Sequence, residues 1–338
     1  MTTMLDDRAK MLLKALVERY IADGQPIGSR TLSRATGIDL SPATIRNVMS
    51  DLEELGFIAS PHTSAGRIPT ARGYRLFVDK LAAVKPLSNA ERRAIETFLE
   101  GALDLDDVVM RTVKLLADVT KQVAVVQYPS LTKSRVRHIE LVLLTPTRLM
   151  MVLITNTGRV EQRVLELPYE LNEQLLSDLR QRLNGAVTGK SMSDVAPQLE
   201  GILAAFGRNE RTSTALIISN LIEMAIEKPE EKVVLAGTAN LARFSEDFST
   251  NMHPVLEALE EQVVLLRLLS DAHSTVHVTI GSEQPDSSLQ TTSLVTVGYG
   301  TDASLGILGP TRMDYAGSMA AVSAVARYVG RFLEEGGK

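Results

Sequence analysis

The chain contains no cysteine. A disulfide, a thiolate metal site and a thiol redox switch are all excluded, and the absence fits a reducing cytosol, the expected location. No uninterrupted run of about 18 apolar residues occurs, so no membrane span is expected. The opening MTTMLDDRAKMLLKALVERY carries acids at positions 6 and 7 and charge throughout its apolar stretch, the wrong pattern for a signal peptide. Motifs of catalysis are missing as well: there is no HExxH, no phosphate loop ending in GK[ST] and no G-x-S-x-G elbow. His273 and His277 lie four apart in a segment that reads as a strand. At ~3.3 Å per residue they stand about 13 Å from each other, too far to share one metal. These absences argue against an enzyme, a metal or a cofactor.

The chain has 338 residues, of which 44% are hydrophobic and 23% charged, the composition of a folded protein of two or three domains. Its net charge is −5, unevenly placed. Residues 1–80 hold 11 Lys and Arg against 9 Asp and Glu, and the remainder holds 25 against 32. Residues 55–78 carry Arg67, Arg72 and Arg75 and no acid at all. An acidic body with a locally basic N-terminal patch suits a regulator that meets nucleic acid at one surface, because local potential matters more than the total.

Residues 6–22 place Leu12, Leu13, Leu16, Val17, Tyr20 and Ile21 at three- and four-residue spacing, an amphipathic helix that Gly24 and Pro26 terminate. Ser29 is placed to cap a short second helix ending at Gly37. Ser41 and Pro42 open a third, which runs to Leu55 and stops at Gly56. Its inward face is Ile45, Val48, Leu52 and Leu55; the opposite face carries Thr44, Arg46, Asn47 and Ser50. FIAS then reads as a strand, PHTSAG as a loop and RIPT as a returning strand, with Thr70 ready to cap a further helix. Three helices, strand, loop and strand give the order of a winged helix-turn-helix.

Ser88 and Glu91 form a capping-box pattern, and a helix over 104–122 follows. RVRHIELVLLT, RLMMVLITN and RVEQRVLELP are three strand candidates, the last two joined at the hairpin signal NTG, 156–158. Helices are expected over 170–183, 193–228 and 254–270, with strands at KVVLAG, TVHVTIG and SLVTVGYG, and a closing helix in YAGSMAAVSAVARYVGRFLEE. The body, 104–338, is α+β, interrupted by a mostly helical piece with the character of an insertion.

The stretch SPATIRNVMSDLEELGFIASPHTSAGRIPTARGYRLFVD closely resembles the signature of the HrcA-type heat-inducible transcription repressors, and LVTVGYG, GILGPTRMDY and the last helix resemble the end of that family's C-terminal domain. The resemblance implies an α+β multidomain fold: a winged-helix DNA-binding domain over 1–82, a linker and helix over 83–103, a GAF-like domain over 104–184 and 253–338, and an inserted, mostly helical dimerisation domain over 185–252. It implies repression of chaperone operons through an inverted-repeat operator, with release on heat stress. It also implies double-stranded DNA, a second copy of the chain and a chaperonin as partners. A small-molecule sensor built on the GAF-like domain is the alternative, and its mark would be an apolar pocket with converging polar groups.

Residues near the start of a recognition helix reach base edges in the major groove. Arg46 can chelate guanine and Asn47 can pair bidentately with adenine. Ser41 and Thr44 are placed for phosphate or for capping alone, and Ser50 lies one turn on. In the wing, His62, Thr63 and Ser64 at the tip and Arg67 at the base are candidate phosphate or minor-groove contacts. Ser29, Arg30 and Thr31 begin the helix that crosses the backbone in this motif. Without the wing, all of these read as an ordinary solvated helix face and a surface loop. Heat release is expected to follow a shift of the dimer toward an incompetent state on warming.

Overall fold

A computed structural model describes residues 5–34, 40–61, 66–84, 86–102, 104–129, 134–156, 158–199, 201–207, 210–226, 232–247, 252–270, 272, 274–300 and 303–335. Helix α1 (Asp7–Asp23) starts where the Asp6 carboxylate accepts from the Ala9 N–H at 2.6 Å, and buries Leu12, Leu13, Leu16 and Val17. Gly24, left-handed at φ 69°, ends it. Helix α2 (Ser29–Ser33) begins after Gly28, whose carbonyl accepts from Thr31 and Leu32. Ser29 is therefore the first residue of that helix and not its cap, contrary to the sequence expectation. Helix α3 (Pro42–Glu54) leads into an antiparallel pair, β1 (Ile58–Ala59) and β2 (Ile68–Pro69). Ile27 adds a third edge to this small sheet by exchanging both backbone hydrogen bonds with Arg67. Helix α4 (Ala71–Leu76), capped by Thr70 as expected, continues through a wider turn at Phe77–Leu81. Leu12, Leu16, Ile45, Leu52, Ile58, Tyr74 and Phe77 close the core of this winged helix.

Helix α5 (Asn89–Glu100) has the full Ser88–Glu91 capping box, and α6 (Leu105–Thr120) is capped by Asp104. Strand β3 (Val123–Gln127) follows, and the chain then leaves for a separate layer. There β4 (Val136–Thr145), β5 (Arg148–Thr155) and β6 (Val160–Glu166) form a three-stranded antiparallel sheet. Helices α7 (Glu173–Val187), α8 (Val195–Leu199) and α9 (Arg211–Ile226) pack on it. One hydrophobic core running from Val136 to Met224 serves this layer alone. The strands β4–β6, expected within the 104–184 segment of the body, thus share no strand pairing with the main sheet and pack with α7 to α9 instead. The reason lies in β4 and β5, whose alternating burial presents one apolar face that α7 and α9 cover, leaving the strands no need to join the main sheet.

The chain returns as β7 (Val233–Ala236), α10 (His253–Glu260), α11 (Gln262–Leu269), β8 (His277–Ile280), β9 (Thr292–Tyr299), β10 (Ala303–Pro310) and α12 (Tyr315–Glu335). The helix expected over 254–270 is broken at Glu261, and the strand expected from 275 starts at His277. His273 lies outside the described residues. The main sheet is antiparallel throughout, in the order β7-β3-β10-β9-β8. Both its faces are covered: Val126, Val295 and Ile307 join the core under α6 and α12, while Val123, Leu294 and Leu308 face α10 and α11. Among the described residues no helix is long and apolar enough to cross a membrane.

The winged helix is joined to this body through side chains. Arg75 of α4 donates through Nε to Glu283 at 2.9 Å and through Nη2 to the Val278 carbonyl at 2.7 Å. The Tyr74 and Tyr315 rings meet with centroids 5.8 Å apart, and Arg312 donates to the Ile21 carbonyl at 3.2 Å. The winged-helix core and the body core are continuous across this joint.

Candidate nucleic-acid interface

Helix α3 is pinned at its start. The Ser41 hydroxyl accepts from the Thr44 N–H at 3.1 Å and lies 2.9 Å from the Thr44 hydroxyl, while Pro42 occupies the first turn. This satisfies one of the free N–H groups of a helix start, a contribution of about 1 kcal/mol. Ile45, Met49 and Leu52 are buried at i, i+4 and i+7. Met49 fills the place expected of Val48, which is half-buried. With those three fixed inward, Arg46, Asn47 and Ser50 point to solvent and are exposed, and Thr44 is half-exposed. Among the described residues none of Arg46, Asn47 and Ser50 has a side-chain hydrogen bond or ion pair. A guanidinium and a carboxamide held at one exposed helical turn, without internal partners, present donors and an acceptor that match base edges.

Helix α2 presents Arg30 and Thr31 exposed and Ser29 half-buried. Arg34, exposed at the end of α2 and also without a side-chain partner among the described residues, adds a cation that the sequence reading passed over. Its signal was available: a second arginine four residues after Arg30 falls on the same side of a helix.

The wing divides. His62, Thr63 and Ser64, expected at its tip, lie outside the described residues. Arg67, expected as a phosphate contact, turns back onto the domain. Its Nε and Nη2 both meet Glu53 at 2.8 Å and its Nη1 donates to the Ser60 hydroxyl at 3.1 Å. Arg72 donates to the Leu55 carbonyl at the end of α3, 2.8 Å, and stacks over the Phe57 ring at 4.6 Å. Arg75 reaches the body, and its bond to Glu283 raises its already high pKa. Burial pushes the Glu283 carboxyl up, but the Arg75 hydrogen bond, the Ile280 N–H and the charges of Arg75 and His277 together hold it below the ordinary carboxylate range. All three arginines of the acid-free ribbon are therefore engaged within the protein, and the carboxylates that pair with them, Glu53, Asp79 and Glu283, lie outside the ribbon.

Two glycines set the wing's position. A Cβ on Gly66 would stand 2.5 Å from the Ile27 carbonyl carbon, and one on Gly73 would stand 2.1 Å from the Phe57 carbonyl oxygen. The first permits the Ile27–Arg67 pairing and the second lets α4 lie directly on the strand entry. Among the described residues no group of three or more His, Asp or Glu is placed to hold a metal ion.

Comparison with known proteins agrees with this arrangement. Residues 4–81 match the family model described as winged helix-turn-helix transcription repressor, HrcA DNA-binding, and residues 106–319 match that of the HrcA protein C terminal domain. The heat-inducible transcription repressor HrcA of Streptomyces avermitilis is 55% identical over 337 residues, covering 98% of this chain and 100% of that protein. That of Thermobifida fusca is 55% identical over 336 residues, covering 98% and 97%. A crystal structure of a hypothetical protein, solved at 2.2 Å, shares the fold with a TM-score of 0.68 at 24% identity, over 98% of this chain and 100% of that one. An N-terminal winged helix, an α+β body and relatives matched from end to end lead to one conclusion: the chain belongs to the HrcA family of heat-inducible transcription repressors.

Proposed function

We propose that this repressor binds an inverted-repeat operator at chaperone operons as a homodimer and leaves it on heat stress. The observation that carries the DNA-reading part is the outer face of α3, where Arg46 and Asn47 stand exposed and unpartnered on a helix fixed at its start. In this reading Arg46 and Asn47 take base edges, with Ser50 one turn on. Ser41 and Thr44 combine capping with phosphate contact, and Ser29, Arg30 and Thr31 meet the backbone. In the same reading His62, Thr63 and Ser64 contribute contacts to phosphate or the minor groove. Arg67 acts by bracing the wing against α3 through Glu53. The chain is a regulator, not an enzyme, and its work on operator DNA places it in the cytoplasm.

A symmetric operator calls for a two-fold protein. The outer face of the β4–β6 sheet supports one. Val142 pairs with Met150 and Met150 with Val164 across the three strands, all on the face opposite α7 and α9. Val160 and Val164 are 55% and 48% exposed. A contiguous apolar sheet face of this kind marks an association surface. Val142→Asp with Val164→Asp is expected to give a monomer in sedimentation while leaving the winged helix folded. The chaperonin as modulator rests on the family resemblance alone.

Anisotropy titration of a chaperone-promoter inverted repeat against a scrambled duplex, at two salt concentrations, tests the reading. The expected result is strong preference for the repeat with one dimer per site. Equal weak binding to both duplexes rejects it. Heat release is checked by repeating the titration through heat-shock temperatures: the affinity is expected to fall, and a constant affinity with the dimer intact rejects this mechanism.

A further inference from the structure

The body grips the winged helix at two of its elements, the end of α1 and α4. Arg312, from the turn between β10 and α12, lies against the C-terminus of α1. It donates to the Ile21 carbonyl at 3.2 Å, and a Cβ on Gly24 would stand 2.8 Å from its Nη1. A guanidinium there answers a carbonyl near the helix end and meets the negative end of the helix dipole. Gly24 therefore ends α1 and also leaves the space that Arg312 fills. On α4, Tyr74 lies against the Tyr315 ring, and Arg75 donates to Glu283 and to the Val278 carbonyl.

The receiving groups are themselves held. Tyr315 is fully buried; its hydroxyl donates to the Thr311 carbonyl at 2.7 Å and lies 2.8 Å from the Ser293 hydroxyl of β9. The Glu283 carboxylate also accepts from the Ile280 N–H at 2.8 Å. A turn of the winged helix about α4 would break the Arg312 contact, and a turn about the end of α1 would break those of Tyr74 and Arg75. Domains of one chain move relative to each other by default unless a large apolar interface joins them. Here one hydrophobic core runs from Leu12 and Leu16 of α1 through Tyr74 and Phe77 to Tyr315 and Val322 of α12.

We propose that Arg75 and Arg312 are positioning residues that lock each winged helix to its body, so that the dimer's body sets the separation of the two α3 helices and with it the half-site spacing the operator must have. This rests on the reading of the chain as a dimer on an inverted repeat. One base pair added between half-sites moves the second by about 3.4 Å and turns it by roughly 35°. Two turn it by roughly 70°, which a locked pair of α3 helices can meet only by deforming the DNA.

The test has two arms, both on the full chain. Because the chain has no cysteine, Glu54→Cys on α3 and Lys114→Cys on α6 take spin labels at those two points alone; both positions are exposed and without a side-chain partner among the described residues. Labelled chains are diluted into unlabelled ones, so that only the distance within a chain is read. The parent is expected to give one narrow distance distribution. Arg75→Gln and Arg312→Gln, singly and together, are expected to broaden it while circular dichroism stays that of the parent. In the second arm the repeat is offered with its own spacer and with two base pairs added or removed. The parent is expected to lose about tenfold or more in affinity for both altered spacers. The double variant is expected to bind all three within about threefold, because a loosened joint lets each α3 follow its half-site, and to suffer the parent's loss at a mismatch inside a half-site. A broad distribution in the parent overturns the lock. A double variant that keeps the narrow distribution, or the parent's spacing preference, overturns the role of the two arginines. A parent that prefers the repeat to scrambled DNA but accepts all spacers equally overturns the spacing role. No preference for the repeat at any spacing rejects the operator reading itself and the spacing role with it, while the distance distribution still decides the lock.

Discussion

The outer face of α3 and the ribbon that follows it are neighbours in sequence and opposites in how they use polar side chains. On α3, Arg46 and Asn47 face solvent with nothing in the protein to hold them. On the ribbon, Arg67, Arg72 and Arg75 are each tied to a carboxylate or a carbonyl. The ribbon is rich in cations because three joints converge there, between wing and α3, between α4 and the end of α3, and between the winged helix and the body. Positive charge in this domain is thus divided between side chains that tie elements together and side chains that stand free of internal partners.

The largest effect separating the two regions is expected at α3. Arg46→Ala and Asn47→Ala should each remove about 1–3 kcal/mol of discrimination between operator and scrambled DNA, with the melting temperature unchanged. Next comes the brace. Arg67→Ala and Glu53→Gln are expected to act alike. Each should lower stability by about 1 kcal/mol, since the pair is half-buried, and leave the salt dependence of DNA binding unchanged. If Arg67 met phosphate, Arg67→Ala would flatten the salt slope and Glu53→Gln would strengthen binding by releasing the arginine, so the two substitutions would diverge. Arg75→Gln comes third. It should cost about 0.5–1 kcal/mol and raise hydrogen exchange in α4 and β8, because the pair is partly exposed.

The smallest expected effect is on pH. Glu283 is held below its ordinary pKa of about 4.3, so the Arg75–Glu283 bond contributes fully above that value and is lost as pH falls through the lower folded one. Protection against exchange at the joint, relative to the intrinsic rate at each pH, should stay flat from about pH 5 upward and fall only in acid; a change near neutrality would contradict the assignment.

Much of the winged helix is legible in the sequence because its boundaries are written locally. Gly24 and Gly56 stop an element through a left-handed backbone, and Ser41 with Pro42 and Thr70 each start one, the two hydroxyls by accepting from the helix's first N–H groups. The free face of α3 follows from the same register. What escaped was set at a distance. Glu283 lies 208 residues from Arg75, and no local pattern links them. Strand β3 carries no two-residue alternation because both faces of its sheet are covered, and β10 is interrupted by glycines and closed by Pro310. The strands β4 to β6 were visible as strands, but alternation says which face is buried and not which sheet a strand joins. For that reason the separation of β4–β6 from the main sheet is not legible in the sequence.

The most direct test of the central claim, that α3's unpartnered outer face reads the operator, is an anisotropy titration of the Arg46→Ala/Asn47→Ala variant against the inverted repeat and a scrambled duplex. The account predicts that the variant folds and dimerises as the parent does but binds both duplexes with the parent's affinity for scrambled DNA. A variant that keeps the parent's preference for the repeat would contradict it.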